Sequence, residues 1–141
     1  ERHITVRGGA LRGGVFDLND IPDALPALSV AACFADGETR LVNVPQARLK
    51  ETDRISVMRD ELAKMGADVA ELPDGLVIRG SDLSGASVDG HGDHRVVMAL
   101  AVAGLAAKGV TEITTAESVA VTFPGFEGLL RTAGADITTL K

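Results

Sequence analysis

The stretch Gly66-Ala67-Asp68-Val69, which follows a helix-like pattern, has a counterpart later in the chain in Gly134-Ala135-Asp136-Ile137. Nearly the same offset in residue number separates Asp23 from Asp93, two aspartates that open apolar helical segments. A nearly constant spacing is the mark of an internal repeat. We therefore expect two copies of one supersecondary unit, covering approximately residues 13–80 and 84–141.

Each copy is expected to run strand, helix, strand, helix, strand, strand, which is a βαβαββ unit. Apolar alternation between turn residues predicts strands at about 3–6, 15–18, 40–44, 68–72, 76–79, 86–88 and 110–114. Helical spacing predicts four helices, which begin near Asp23, Arg54, Asp93 and Thr122. The second copy lacks an obvious final strand. This order predicts an α/β (α+β) fold with helices packed under mixed sheets.

The composition is that of a folded, soluble protein. The 141 residues are 45% hydrophobic and 24% charged, which suits one domain or a large part of one. A formal net charge of −6 and the absence of Trp and Tyr disfavour nucleic-acid binding, which draws on clustered cations and stacking side chains. No apolar run is long enough to predict a membrane-spanning segment.

Two further features bear on where the protein works and how much of it is present. The single cysteine, Cys33, lies in an apolar run and cannot form an internal disulfide. We therefore expect it in the core of a cytoplasmic protein. The chain begins at Glu1 rather than at a methionine, directly before a strand-like segment. We interpret this start as that of a fragment or a processed chain.

The segment Lys50-Glu51-Thr52-Asp53-Arg54 places two cations where a helix begins. A helix start is the positive end of the helix dipole and favours acidic residues. Two cations about 6 Å apart repel by about 3 kcal/mol at an effective dielectric near 20. Either salt bridges at a solvated helix start relieve this repulsion, or a bound oxyanion does, with the carboxylate of Glu51 beside it.

Two other helix starts carry candidate functional residues. Asp23 is interpreted either as a helix N-cap or as a base or hydroxyl-binding carboxylate. The turn Gly90-His91-Gly92 leads to Asp93-His94-Arg95, where free backbone N–H groups and a guanidinium favour an anion. Pairing of Arg95 with an acid such as Asp93 is the alternative. A metal site formed by His91, Asp93 and His94 is a weaker alternative, because no further ligand pattern accompanies them.

Four motifs together resemble the EPSP synthase family. They are Lys50-Glu51-Thr52-Asp53-Arg54-Ile55, Asp93-His94-Arg95, Ile21-Pro22-Asp23 and Thr122-Phe123-Pro124. Members of this family have two domains, each built from three βαβαββ units. The resemblance runs over essentially the whole chain. It implies that residues 1–141 are part of the C-terminal domain, namely its last two units, and that the N-terminal domain is absent.

The resemblance also implies a reaction and a set of site residues. The family transfers the enolpyruvyl group of phosphoenolpyruvate to the 5-hydroxyl of shikimate 3-phosphate, with no metal or organic cofactor. The implied roles are as follows: catalytic, Asp23 as the base and Glu51 as the acid; shikimate 3-phosphate binding, Asp23, Gln46 and Lys50; phosphoenolpyruvate binding, Arg54 and Arg95; supporting, Asp93 and His94. Positioned carboxylates and converging cations suit proton transfer between anionic substrates.

The chain departs from the family pattern at two positions. Gln46 stands where many members have an asparagine, and Val121 stands where some members have a phosphoenolpyruvate-binding lysine. Two alternative functions stay open: the related enolpyruvyl transferase that acts on UDP-N-acetylglucosamine, and a non-catalytic anion-binding module. We expect the chain alone to be inactive, because the missing domain supplies the other wall of the cleft in the family.

Overall fold

The first copy of the repeat forms a mixed four-stranded sheet. The computed structural model describes residues 2–140. The strands are β1 (Val15–Asp17), β2 (Glu38–Val42), β3 (Asp68–Leu72) and β4 (Gly75–Arg79), and they lie in the order β1-β2-β4-β3. β1 runs parallel to β2, whereas β4 runs antiparallel to both of its neighbours. The mixed sheets and the βαβαββ order expected for the first copy are confirmed.

Within residues 2–140, four helices and a second, smaller sheet complete the fold. The helices are α1 (Leu25–Cys33), α2 (Arg54–Lys64), α3 (His94–Ala106) and α4 (Phe126–Thr132). Strands β5 (Ser87–Asp89) and β6 (Glu112–Thr114) pair in parallel. Short 3-10 helices precede α1, α2 and α4, at Pro22–Ala24, Pro45–Leu49 and Ala116–Val121.

The repeat is present, but its register differs slightly from the one that the two aspartates indicated. β1 and β2 begin their pairing at Val15 and Arg40, and β5 and β6 begin theirs at Ser87 and Glu112. In this register Asp23 is equivalent to Arg95, not to Asp93. The offset shortens towards the end of each copy because α4 has 7 residues where α2 has 11, a difference of about one helical turn. The exact limits of the two units stay a prediction.

Two expectations about strands are wrong. The segment 3–6 forms no strand, and its apolar side chain Ile4 is 91% exposed. Its alternating pattern has no neighbouring strand to pair with among residues 2–140. The second copy ends its regular structure at α4, so within the described residues it is a βαβα unit. Apolar alternation predicts a strand only where a partner edge is available.

The core lies where α1, α2 and α3 pack against one another and under the four-stranded sheet. The face of α2 predicted from its spacing is confirmed, because its apolar residues are fully buried: Ile55, Met58, Leu62 and Met65. Cys33 is buried too, and burial raises the pKa of its thiol to about 11. Among residues 2–140, no helix combines the length and the apolar character that crossing a membrane requires.

Candidate functional site

Three helix starts converge on one place, next to the ends of the parallel strands. The 3-10 turn before α1, the beginning of α2 and the beginning of α3 all lie at this edge. They bring together most of the residues implied by the resemblance: Asp23, Lys50, Glu51, Arg54, Asp93, His94 and Arg95. A chain that folds as a repeat thus assembles one cluster from segments that lie far apart in the sequence.

Arg54 is the centre of this cluster. Its Nε donates to Asp93 Oδ2 at 2.7 Å and its Nη2 donates to Asp93 Oδ1 at 3.2 Å, so this pair is bidentate. Nη2 also donates to Glu51 at 2.7 Å, and Nη1 donates to Asp23 at 2.8 Å. The side chain of Arg54 is only 1% exposed and that of Asp93 is fully buried. Burial alone would lower the pKa of Arg54, but its carboxylate partners raise it.

Asp23 does not cap a helix; it faces cations. The N-cap of α1 is Ala24, and no side chain caps that helix. Asp23 Oδ1 lies 3.2 Å from Lys50 Nζ, and Oδ2 lies 3.2 Å from Arg95 Nη2. Partial burial would raise the pKa of Asp23, but the hydrogen bond from Lys50 and the charges of Arg95, Lys50 and Arg54 hold it below its ordinary value. The N-cap interpretation is therefore wrong.

The true caps are Asp53 and Asp93. Asp53 accepts hydrogen bonds from the backbone N–H groups of Ile55 and Ser56, and Asp93 accepts those at the start of α3. Each carboxylate thus satisfies free donors of a first turn. Asp93 does so while also holding Arg54, so one buried side chain fixes both a helix start and the central guanidinium.

A second network of hydrogen bonds and ion pairs, centred on Arg48, holds the start of α2. It was not predicted from the sequence. Arg48 donates to Asp53 at 2.8 Å and lies 2.7 Å from Glu71 on β3. It also donates to the backbone carbonyls of Leu72 and Pro73. Because Arg48 joins the cap of α2 to the β3–β4 hairpin, it limits how far the segment that carries Lys50 and Glu51 can move. No local pattern signals partners so far along the chain.

Glu51 is the most accessible carboxylate of the cluster. Its side chain is 47% exposed, in contrast to the buried Asp93. One oxygen accepts from Arg54, and the other lies 3.9 Å from Nδ1 of the buried His94. A carboxylate that is held on one side and open on the other can exchange a proton with a bound molecule.

Gln46 and Val121 lie apart from the central contacts. Gln46 donates to the backbone carbonyl of Asn19 at 2.8 Å, so its amide is held by the loop that follows β1. Val121 is exposed at the end of the 3-10 helix before α4. The longer side chain at position 46 thus has a protein partner here, and position 121 presents only an apolar surface.

The alternative of a metal site formed by His91, Asp93 and His94 does not match the structure. His91 Nε2 lies 2.9 Å from Glu61 Oε1, whereas Asp93 binds Arg54 and His94 lies towards Glu51. Three side chains that point to three different partners cannot share one ion. Within residues 2–140, no three His, Cys, Asp or Glu side chains are grouped to hold a metal.

The charges of the cluster balance. Three cations, Lys50, Arg54 and Arg95, face three carboxylates, Asp23, Glu51 and Asp93. Two of the cations, Lys50 and Arg95, are partly exposed and share the carboxylate of Asp23. Anionic oxygens of a bound molecule can therefore replace Asp23 as the partner of these two cations. The buried pair of Arg54 and Asp93 need not become exposed.

The fold and the site define a class of protein: a repeated α/β scaffold that gathers cations and carboxylates at converging helix starts. The chain belongs to the EPSP synthase family. The family model described as EPSP synthase (3-phosphoshikimate 1-carboxyvinyltransferase) matches residues 1–130.

Individual relatives agree with this membership. The chain is 64% identical over 135 residues to the 3-phosphoshikimate 1-carboxyvinyltransferase of Ruminiclostridium cellulolyticum, covering 96% of this chain and 32% of that protein. The structure of EPSP synthase from Acinetobacter baumannii matches with a TM-score of 0.87 and 36% identity, covering 94% of this chain and 32% of that one. The enolpyruvyl transferase NikO from Streptomyces tendae shares the fold, with a TM-score of 0.76 and 22% identity, covering 92% of this chain and 29% of that one. The chain spans about a third of the length of these relatives.

Proposed function

We propose that this chain forms one wall of the active site of a 3-phosphoshikimate 1-carboxyvinyltransferase. The intact protein would transfer the enolpyruvyl group of phosphoenolpyruvate to the 5-hydroxyl of shikimate 3-phosphate and release phosphate. The observation that carries this proposal is the cluster around Arg54, in which three cations and an accessible carboxylate converge. The names of the relatives support the substrates.

The reaction proceeds by addition followed by elimination. Glu51 donates a proton to the methylene carbon of phosphoenolpyruvate, and the 5-hydroxyl oxygen of shikimate 3-phosphate bonds to the adjacent carbon. In the tetrahedral intermediate that results, the C–O bond to phosphate then breaks, and Glu51 takes a proton back from the methyl group. Its exposed side can reach a bound molecule, which both proton transfers require. Phosphate leaves with the electron pair of the broken bond.

Asp23 is the base that receives the 5-hydroxyl proton of shikimate 3-phosphate in the addition step. The cations around it lower its pKa, which makes it a weak base while they stay paired with it. The two anionic substrates would draw Lys50 and Arg95 towards their own oxygens and leave Asp23 more basic. Lys50 contacts the shikimate side, Gln46 contributes an amide there, and Arg54 and Arg95 hold phosphoenolpyruvate. Asp93 and His94 support these groups.

The chain alone is expected to be inactive, because it spans about a third of the relatives and forms only one wall of a cleft. The rest of the protein would supply the missing unit of this domain and, as a second domain, the opposite wall and further cations. A cytoplasmic location and the absence of nucleic-acid or membrane partners remain predictions.

A chimaera tests this function. These residues would replace the 64% identical segment of the Ruminiclostridium cellulolyticum enzyme, and phosphate release from phosphoenolpyruvate and shikimate 3-phosphate would be measured. Turnover is expected from the chimaera and not from the chain alone. Replacement of shikimate 3-phosphate by UDP-N-acetylglucosamine should abolish turnover, and activity with the nucleotide sugar instead would favour the related transferase.

The variant Glu51→Gln tests the assignment of the acid. It keeps a hydrogen-bond acceptor for Arg54 but cannot donate or accept the proton, so a loss of about a hundredfold in kcat is expected. The matched control is Asp82→Asn, a surface carboxylate outside the cluster. Unchanged turnover of Glu51→Gln would contradict the assignment, and an inactive parent chimaera would support a non-catalytic anion-binding module.

A further inference from the structure

A buried carboxylate that the proposed reaction does not use lies beneath the site. Glu61, in the last turns of α2, is 2% exposed. Its Oε1 lies 2.9 Å from His91 Nε2, and its Oε2 accepts from the backbone N–H of Asp89 at 3.0 Å. Lys64 Nζ donates to both oxygens, at 2.7 and 2.9 Å. A glutamate of the first copy is thus fully bonded, and two of its partners belong to the second.

The two partners of Glu61 from the second copy, Asp89 and His91, lie at the end of β5 and in the loop between β5 and α3, residues 90–93. This loop is conformationally demanding: His91 has a φ of +52° and Gly92 a φ of +68°. A left-handed conformation is uncommon for residues other than glycine, although histidine tolerates it better than most, and the contact with Glu61 stabilises it here. A Cβ on Gly90 would overlap the side chain of Val97, so the backbone of the loop lies close against α3 at this position.

The loop is attached to α2 at both of its ends. Glu61 holds its beginning through Asp89 and His91, and Arg54 holds its end through Asp93. Glu61 and Arg54 are separated by nearly two helical turns, or about 10.5 Å, on one face of the helix. One face of α2 therefore sets both the position of the loop and the direction in which it enters α3.

We infer that the Glu61–His91 contact is a positioning device for the anion site: it fixes the 90–93 loop on α2 and thereby aligns Asp93, Arg54 and Arg95. Asp93 can hold Arg54 in a bidentate pair only if the loop places the Asp93 carboxylate level with Arg54 along the axis of α2. Arg95 follows Asp93 closely in the first turn of α3, so a displaced loop moves this guanidinium too. The inference rests on the proposed function only for the identity of the bound anion.

Amide exchange in the chain itself tests the structural half of the inference. His91→Asn keeps a residue that tolerates the left-handed conformation but is too short to reach Glu61. Lys64→Met is the matched control, because it removes another partner of Glu61 without touching the loop. Faster exchange of the Gly92 and Asp93 amides in His91→Asn than in Lys64→Met is expected. Equal exchange in the two variants would overturn the inference.

Kinetics of the chimaera test the functional half. Glu61→Ala and His91→Asn are expected to raise the KM for phosphoenolpyruvate about tenfold with little change in kcat, since displaced positioning contacts can cost up to about a hundredfold. Glu61→Gln, which still accepts from the loop, should recover most of the loss. Leu62→Ala is the control for general destabilisation: it removes a buried α2 side chain that lies beside Glu61 in sequence.

The outcomes separate this inference from the proposed function. An unchanged KM in His91→Asn, or an equal rise in Leu62→Ala, would overturn the positioning role even if the chimaera is active. If the parent chimaera shows no turnover, the proposed function fails, and amide exchange alone then decides whether Glu61 fixes the loop.

Discussion

The two copies of the repeat end their first strands in the same way. In the first copy, Asp17 accepts from the backbone N–H of Asn19 and from the side chain of Asn43, which has a φ of +58°. In the second copy, Asp89 accepts from the backbone N–H of His91 and from Thr115, which has a φ of +56°. The equivalent pairs are Asp17 and Asp89, Asn19 and His91, and Asn43 and Thr115. Each pair follows the register that relates β1 to β5. The two copies thus share the hydrogen bonding at the ends of these strands.

The copies differ in what they place after these strand ends. The first copy carries Asp23 and the second carries Arg95 at the equivalent position, and the two side chains lie 3.2 Å apart. The helix that ends each copy also differs, since α2 begins with the Asp53 cap and Arg54, whereas α4 begins with Gly125 and Phe126. The two copies therefore share a backbone geometry, whereas the charged residues of the cluster lie at positions where the two copies differ.

The largest expected effect comes from breaking the pair that joins the copies. Asp93→Ala would leave Arg54 buried without its bidentate partner, so a loss of about 3–5 kcal/mol in the free energy of unfolding is expected. Asp23→Ala should cost much less, because its side chain is 45% exposed. Urea unfolding followed by circular dichroism measures both. The double variant Arg54→Met, Asp93→Leu should recover part of the loss, and a cost below about 1 kcal/mol for Asp93→Ala would contradict the prediction.

Equivalent glycines sharpen the comparison. A Cβ on Gly13 would overlap the backbone carbonyl of Glu38, and one on Gly85, at the equivalent position of the second copy, would overlap that of Val110. Gly13→Ala and Gly85→Ala should each destabilise the chain by about 1–3 kcal/mol, because backbone cannot yield as a side chain can.

The control for these two variants is Gly128→Ala in α4, where a Cβ meets no other atom within 4 Å. It should stabilise the chain by about 0.5–1 kcal/mol through helix propensity. Urea midpoints measure all three variants. Strongly unequal losses at Gly13 and Gly85 would show that the two strand starts are not equivalent.

Helix capping gives a smaller contrast between α2 and α4. Asp53→Ala removes the acceptor for two backbone N–H groups and a partner of Arg48, so a loss of about 1 kcal/mol is expected. Gly125→Asp would add a capping side chain to α4, where none is present, and should gain a few tenths of a kcal/mol. Thermal unfolding measures both changes. A stabilising Asp53→Ala would contradict the role of this cap.

The smallest expected effect is a dependence on acid. The pKa of Asp23 is lowered in the fold, so its contribution to stability is present above its unfolded pKa of about 4 and is lost as the pH falls through its folded pKa. Asp23→Asn should therefore flatten part of the decline in urea midpoint below about pH 4. The chain with Asp23 intact, measured alongside, is the reference. Equal slopes for the reference and for Asp23→Asn would contradict the prediction.

Local patterns predicted most of the elements and the core. The spacing of Ile55, Met58, Leu62 and Met65 identified the buried face of α2, because helix periodicity depends only on neighbours within a few turns. The same reasoning could not decide between a cap and a functional carboxylate at Asp23, since its partners belong to the later segments that begin α2 and α3. Local sequence cannot show partners that only the tertiary fold brings together.

The sequence predicted that these charged residues belong together, but it did not predict the contacts that join them. The family motifs named Arg54 and Arg95, yet nothing in the sequence indicated that Arg54 is nearly inaccessible and bound by three carboxylates. Glu61 was missed for a similar reason, because its partner His91 is 30 residues away. Motifs identify residue types, whereas burial and hydrogen bonding depend on the packing of whole helices.

The buried pair of Arg54 and Asp93 has a consequence for how the chain unfolds. One partner belongs to the first copy and the other to the second, and each is almost completely shielded from water. If either copy unfolded alone, it would leave an unpaired charge in the other, at a cost of several kcal/mol. Partly opened states are therefore penalised, and the two copies are coupled into one cooperative transition by the same contact that organises the site.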